Sequence, residues 1–195
     1  KLIMRTSCDT LQIRKEKKIL LIGAGNIGYR HLQGLLSINI NWTIYIIDTS
    51  ESALNLTKKR IIENKKFFNK LFFLVSMPND VKEFDLAIIA TTSKSRSQLI
   101  KNLKKEYRIE AWIIEKVVAQ SIKELNEILN CLDFSNKVWV NTPRRIMPWY
   151  KKIKENLIKS GNIYDVEVTG GAWGLACNAI HFIDVFSWIN DSKVK

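Results

Sequence analysis

The chain of 195 residues has only 3 cysteines, 3 prolines, 8 glycines and 2 histidines. Cys8, Cys131 and Cys177 are odd in number and unevenly spaced, and no C-x-x-C or Cys/His cluster accompanies them. That excludes a sequence-legible zinc site or disulfide framework and fits a reduced, cytoplasmic setting. No metal is expected. No apolar run approaches the roughly 18 residues that a membrane span needs. The first 18 residues contain Asp9 and Glu16 and no long apolar core, so they do not read as a secretory signal. In that setting the glycosylation patterns at Asn41 and Asn55 are chance matches. There is no initiator Met, which predicts a fragment or a processed chain.

What is abundant is positive charge. The net charge is +12, which raises nucleic acid as a partner. The basic residues are scattered over 14–18, 58–66, 101–108 and 144–159, with no recognition motif beside them. They read as solvated outer faces of helices, and nucleic acid is not the expected partner.

The most informative glycines fall together. An apolar run, Ile19 to Ile22, leads into Gly23, Gly25 and Gly28, spaced G-x-G-x-x-G, and a helix-like stretch follows. This pattern suits a dinucleotide pyrophosphate: a tight turn, a close backbone approach, close helix packing, and free N–H groups at a helix N-terminus. Asn26 and Ile27, inside the loop, join the expected cofactor-binding set. His31, further along the helix, reads as a packing residue.

Strands are expected over 17–23, 41–48, 71–75, 85–90, 111–114 and 137–141, with helices over 26–37, 51–66, 96–106 and 121–132. Alternation at these lengths predicts an α/β fold, a Rossmann-type doubly wound parallel sheet. Residues 1–16 read as a poorly ordered lead-in. Asp48 closes the second strand 20 positions after Gly28. It is placed either to accept hydrogen bonds from a ribose or to cap the next helix. No Arg follows it directly, which favours NAD over NADP, and Lys58, Lys59 and Arg60 read as too distant to matter. Thr91, Thr92 and Ser93 open the helix at 96, either capping it or lying at the strand ends where such sheets bind ligands.

Two further stretches carry charge where apolar residues are expected. Glu115 and Lys116 interrupt the run from Trp112 to Val118. They form either a surface edge or a Lys116 placed over the cofactor cleft. Residues 177–189 form a helix apolar nearly all round, hence expected to be buried. Cys177, His181, Asp184 and Trp188 share one of its faces. His181 and Asp184 are expected to interact, either as an oriented base or as a satisfied core pair.

Taken together, Gly23–Gly28, Thr91-Thr92-Ser93, Glu115-Lys116-Val117, Asn141 with Arg144, Gly170-Gly171 and His181-x-x-Asp184 resemble the Gfo/Idh/MocA family of NAD(P)-dependent oxidoreductases. The resemblance covers about residues 17–190. It implies a Rossmann domain over 17–143 followed by the start, over 144–195, of a second α/β domain that is incomplete here. It implies a full-length homo-oligomer and hydride transfer between a nicotinamide and a hydroxyl-bearing carbon of a sugar, cyclitol or sugar nucleotide. Lys116 would bind the reacting hydroxyl and His181 would move its proton, with Asp184 completing the catalytic set. Thr91, Thr92, Ser93 and Glu115 would join the cofactor site. Asn141, Arg144, Cys177 and Asn178, with Lys116 and His181, would face substrate. Val117 stands where the family has proline, and Cys177 where many members carry a catalytic Asp. Those departures favour the alternative of a non-catalytic NAD-binding sensor, with Asn178 or Asp184 as possible substitutes for the missing carboxylate.

Overall fold

The computed structural model describes residues 16–38, 40–62, 70–132, 137–160, 166–172 and 174–191. The expected lead-in lies outside them apart from Glu16, as do Cys8 and the last turn of the helix expected over 51–66. Glu16 is anchored, accepting a hydrogen bond from Thr43 Oγ1 and pairing with Lys70.

In chain order the elements are β1 (Lys17–Ile22), α1 (Asn26–Ser37), β2 (Trp42–Ile47), α2 (Glu51–Ile62), β3 (Lys70–Leu74), β4 (Glu83–Phe84), β5 (Leu86–Ile89), α3 (Arg96–Glu106), β6 (Arg108–Ile109), β7 (Trp112–Ile114), α4 (Ile122–Cys131), β8 (Val138–Val140), α5 (Pro148–Ser160) and α6 (Leu175–Ile189). Six strands form a parallel sheet in the order β3-β2-β1-β5-β7-β8. Strand order therefore reverses between β1 and β5, and the crevice at their carboxyl ends is where open α/β sheets bind ligands. The doubly wound sheet expected from the apolar runs is present. Only β4 and β6 escaped that reading. They pair with each other in a two-residue ladder too short to show any period.

Alternate residues of each strand feed opposite cores, as a two-faced sheet requires. Leu20, Ile22, Tyr45, Ile47, Ala87 and Ile89 pack with α3 and α4 through Ile100, Leu103 and Ile128. Ile19, Leu21, Ile44, Ile46 and Ile88 pack with α1 and α2 through Leu32, Leu35, Leu54 and Ile61. Each such side chain contributes about 1.5–3 kcal/mol on burial. The carboxyl-end loops are thus mounted on a stiff platform.

Residues 143–146 form a single 3-10 turn, and Pro148 opens α5 at the first helical position. Among the described residues beyond 144 there is no strand, and 166–170 have no regular secondary structure. Lys154 of α5 donates to Trp188 O (2.5 Å) and to Asp191 Oδ1 (2.6 Å), tying the two helices together at the negative end of α6. The expectation that α6 is buried all round is not met. Only Val185 and Ile189 are buried, while Leu175 and Ile183 are exposed. Val185 and Ile189 sit one turn apart, so a single stripe of the described side chains is covered by the elements present. Among the described residues no helix is long and apolar enough to cross a membrane.

Candidate active site

Each glycine of the loop is required for a different reason. Gly23 has a φ of 101°, and a Cβ there would lie 2.8 Å from the Ala90 carbonyl. A Cβ on Gly28 would lie 1.8 Å from Gly23 O, so α1 sits directly on the loop. Gly25 precedes α1, and among the described residues nothing lies within 4 Å of the Cβ it lacks. That vacant space, at a helix N-terminus with no acidic residue in its first turn, is a cradle for an anion. Ile27 is exposed beside it.

Asp48 holds the loop in shape. Its Oδ2 accepts from Ala24 N at 2.7 Å, while Thr57 Oγ1 donates to Ala24 O at 2.8 Å. Its Oδ1 accepts from Ser50 N at 2.9 Å. Capping of α2 falls instead to Ser50, whose hydroxyl accepts from Ala53 N. Arg60 is not remote, contrary to expectation. In the last turn of α2, it donates to Asn26 Oδ1 at 3.2 Å and lies over the Tyr29 ring. Position along α2 does not measure distance from the loop, because Thr57 and Arg60 reach the loop and the start of α1, at Ala24 and Asn26.

A cleft of about 580 Å³ opens at these strand ends, lined by Gly23, Asp48, Thr49, Met77, Thr91 and Ser95 among others. Capping of α3 by the threonine-serine turn is not observed: neither Thr92 nor Ser95 makes a side-chain cap bond. Thr91 Oγ1 is buried without a hydrogen-bond partner among the described residues. A buried hydroxyl left unpaired is costly unless something supplies its bond, so the cleft fits a polar ligand. Ser93 sits in the same 3-10 turn as Ser95.

Arg96, which drew no attention in the sequence, is 2% exposed. Its guanidinium donates to the carbonyls of Thr91, Glu115 and Val117. It thereby ties the hydroxyl-rich turn to the segment that carries Lys116. A lone Arg at a helix start carries no sequence signal for such a role.

Glu115 is not at a surface edge. It is 5% exposed, and its Oε1 accepts from His31 Nε2 at 2.7 Å and from Asn141 Nδ2 at 2.5 Å. His31 is therefore no mere packing residue, and Asn141 is spent on Glu115 rather than pointing to a substrate. Three elements meet here: the helix after the glycine loop, the end of β7 and the end of β8. Burial pushes the Glu115 pKa up, but the bonds from His31 and Asn141 and the charges of His31 and Lys116 outweigh it, holding the carboxyl below its usual value. The ionised form is thus the one the fold prefers. Its contribution is full above the unfolded carboxylate pKa and is lost as pH falls through the lower folded value. Glu115→Gln should be less stable than wild type at neutral pH, with the deficit shrinking as pH drops below about 4. Urea unfolding at several pH values measures this, and a pH-independent deficit would refute it.

Lys116, joined to Val117 by a cis peptide bond, reaches across to α6. Its Nζ donates to Cys177 O at 2.8 Å. His181 lies one turn along. The expected His181–Asp184 pair does not form. Asp184 is gripped at both oxygens by Arg145, at 2.7 and 2.5 Å, and His181 Nδ1 is buried with no hydrogen-bond partner among the described residues. A guanidinium fork matches a carboxylate better than an imidazole does. Asn178 reaches Gly174 O at 3.4 Å, and the Cys177 side chain is exposed. Arg144 stacks on the Phe182 ring at 3.8 Å and donates to Tyr150 Oη at 2.8 Å. Burial, then Lys116 and Arg144, holds the His181 pKa below the ordinary imidazole value, against opposing pulls from Glu115 and Asp184. Among the described residues no group of three or more His, Cys, Asp or Glu could hold a metal ion.

With this geometry in hand, comparison with known proteins is direct. A family model for NAD(P)-binding proteins matches residues 11–117, which span β1 to β7 with the glycine loop, Asp48 and Lys116. The chain belongs to this NAD(P)-binding family. Similar solved structures include scyllo-inositol dehydrogenase from Lactobacillus casei with bound NAD(H) and scyllo-inositol, at TM-score 0.65 and 19% identity, covering 90% of this chain and 56% of that one. An NAD-binding protein from Listeria innocua gives 0.66 and 19%, covering 93% and 57%. The WlbA dehydrogenase from Bordetella pertussis, in complex with NADH and UDP-GlcNAcA, gives 0.62 and 17%, covering 90% and 56%. At such identities the likeness establishes the fold, and it agrees with the Gfo/Idh/MocA resemblance at that level. The chain spans little more than half the length of these structures. A comparison with curated proteins finds no match.

Proposed function

We propose that this NAD(P)-binding family member is an oxidoreductase of the Gfo/Idh/MocA type, acting on a hydroxyl or keto carbon of a sugar, cyclitol or sugar nucleotide. Residues 17–143 are the dinucleotide-binding unit, and residues from 144 begin the substrate unit. The observation that carries this reading is the Lys116–Cys177 contact. It brings the one basic side chain at the end of β7 to the helix that carries His181. A pure binding module has no need of that meeting.

The cradle at Gly25, the unpaired Thr91 hydroxyl and the cleft between them fit a dinucleotide. Gly23, Gly25, Asn26, Ile27 and Gly28 would hold its pyrophosphate, Asp48 a ribose, and Thr91, Thr92 and Ser93 the far side. When bound, its nicotinamide would accept or donate the hydride. Asp48 keeps lone pairs free beside its two backbone bonds and would repel a 2′-phosphate, so NAD suits the site better than NADP. Glu115 leaves the cofactor set, because its carboxylate is occupied by His31 and Asn141. In the chemistry, Lys116 binds the reacting hydroxyl and lowers the cost of its ionisation. His181, neutral and partly desolvated, takes the proton in oxidation and returns it in reduction.

A second reading, a non-catalytic NAD-binding sensor, is favoured by one observation: no carboxylate orients His181, since Asp184 is held by Arg145. Turnover separates the two. Full-length protein with NAD and a panel of sugars and cyclitols should show NADH formation, and Lys116→Ala should cut it by at least about 100-fold, the lower end for a general acid–base group. Tight NADH binding with no turnover on any substrate would favour the sensor.

A further inference from the structure

We infer that the reaction centre takes a substrate bearing an anionic group, the carboxylate of a sugar acid or the phosphate of a sugar phosphate, held by Lys116 and Arg144 beside His181. This rests on the oxidoreductase reading above and narrows its substrate class. Both cations flank the first turns of α6. Lys116 touches the carbonyl of Cys177, and the Arg144 guanidinium lies 3.8 Å over the ring of Phe182, the neighbour of His181. Both are half-buried.

The carboxylates that could neutralise them are engaged elsewhere. Both oxygens of Asp184 are on Arg145, and Glu115 Oε1 is on His31 and Asn141. Among the described residues neither Lys116 nor Arg144 has a carboxylate within ion-pair distance, in contrast to Arg145. The position one turn before His181, facing the same way, holds the thiol of Cys177. Partly desolvated cations without a carboxylate in direct contact are unfavourable, and Glu115 acts on Lys116 only at longer range. A bound anion supplies both with a counter-charge at once, whereas a neutral polyol supplies only hydrogen-bond acceptors. Arg144 offers a planar fork suited to carboxylate or phosphate, and Lys116 a point charge.

The arrangement also couples the substrate to the base. The groups facing His181 are Lys116, Arg144, Glu115 and Asp184, and the two cations outweigh the two carboxylates. An anion that screens the cations removes their part of the shift and raises the basicity of the imidazole, while the larger part, from burial, stays. Reciprocally, the anion binds more tightly when His181 is protonated, so its affinity falls as pH rises.

Residues 1–195 contain two histidines, His31 and His181, so NMR titration of histidine-labelled full-length protein reads His181 as the signal that is lost in His181→Gln and kept in His31→Gln. The titration is run on NADH-loaded protein at matched ionic strength with glucuronate, glucose 6-phosphate or glucose. The expected result is an upward shift of the His181 midpoint by about one pH unit, the effect of one nearby charge at an effective dielectric near 20. Either acid, or both, should give it, and which one does so identifies carboxylate or phosphate as the anion. Glucose should give none, and Arg144→Gln and Lys116→Gln should each remove most of the shift. No shift with either acid, an equal shift with glucose, or a full shift in both variants would overturn the inference. Turnover of neutral sugars without any response to the acids would overturn it while leaving the oxidoreductase reading intact. Failure to bind NADH at all in the same samples would overturn that parent reading.

Discussion

Replacing Gly28 with alanine should cost both the fold and the cofactor, whereas Gly25→Ala should cost only the cofactor. The difference lies in what each new methyl group meets. At Gly28 it would stand 1.8 Å from Gly23 O, a backbone atom fixed by its place between β1 and the Ala90 carbonyl. No rotamer relieves that contact, so α1 must lift off the sheet and loosen the contacts of Leu32 and Leu35. Overpacking of this kind costs about 3 kcal/mol or more. At Gly25 the backbone has a φ of −70°, which alanine adopts readily, and no atom of the chain is near. Its unfolding free energy should stay within about 0.5 kcal/mol of wild type. If the vacant space at Gly25 is where the pyrophosphate approaches, the same methyl should weaken NADH binding by about 100-fold, near 2.7 kcal/mol. Fluorescence titration with NADH and urea unfolding, run on both variants, read the two effects apart. Wild-type NADH affinity in Gly25→Ala would place the pyrophosphate elsewhere.

How much of this was legible beforehand follows from the range of the interactions. The β1–glycine loop–α1 unit is local, and its helix was expected over 26–37 and runs from Asn26 to Ser37. The strands were visible because each is buried on both faces and so reads as an apolar run. The site is a different matter. His31 and Glu115 are 84 positions apart, and Arg145 and Asp184 are 39 apart. No period or motif announces such pairs. Helical spacing correctly placed His181 and Asp184 near each other, but proximity is not partnership, and the stronger bidentate partner won. Glu115 misled in the opposite way. Its position matched the expected cofactor set, yet its burial turned it into an internal strut. Lys116 stands just past the end of β7, as the apolar run before it implies, and its reach to the Cys177 carbonyl, 61 positions on, is a contact that no motif announces.

Replacing Arg96 with methionine should be the most damaging single change outside the glycine loop. Methionine keeps much of the aliphatic volume and removes the guanidinium. The carbonyls of Thr91, Glu115 and Val117 then lose a shared donor inside a region that is 2% exposed at Arg96. Each buried carbonyl left without a partner costs about 1–3 kcal/mol. The Glu115 carbonyl is buried and those of Thr91 and Val117 are part-buried, so a loss of about 2–3 kcal/mol follows, large against the 5–15 kcal/mol that holds a typical domain. The charge itself is not the source of the stability, since burial pushes the Arg96 pKa down and only Glu115 opposes it. The value of the group is geometric: one planar fork spans three carbonyls that no second side chain among the described residues joins. Arg96→Lys tests that directly. Lysine keeps the charge but presents a single ammonium, so it should recover only part of the loss. The two changes also differ in what they do to the site. The Thr91 turn lies on the cofactor cleft and Glu115–Val117 carries Lys116, so slackening their tie should separate cofactor affinity from turnover. Where a variant still folds, NADH should bind within a few fold of wild type, because the glycine loop and Asp48 are braced independently through Ala24. Turnover should fall by about tenfold or more, since a small misplacement of a reacting group is enough for that. Equal losses in binding and turnover would instead mean that Arg96 serves the fold alone.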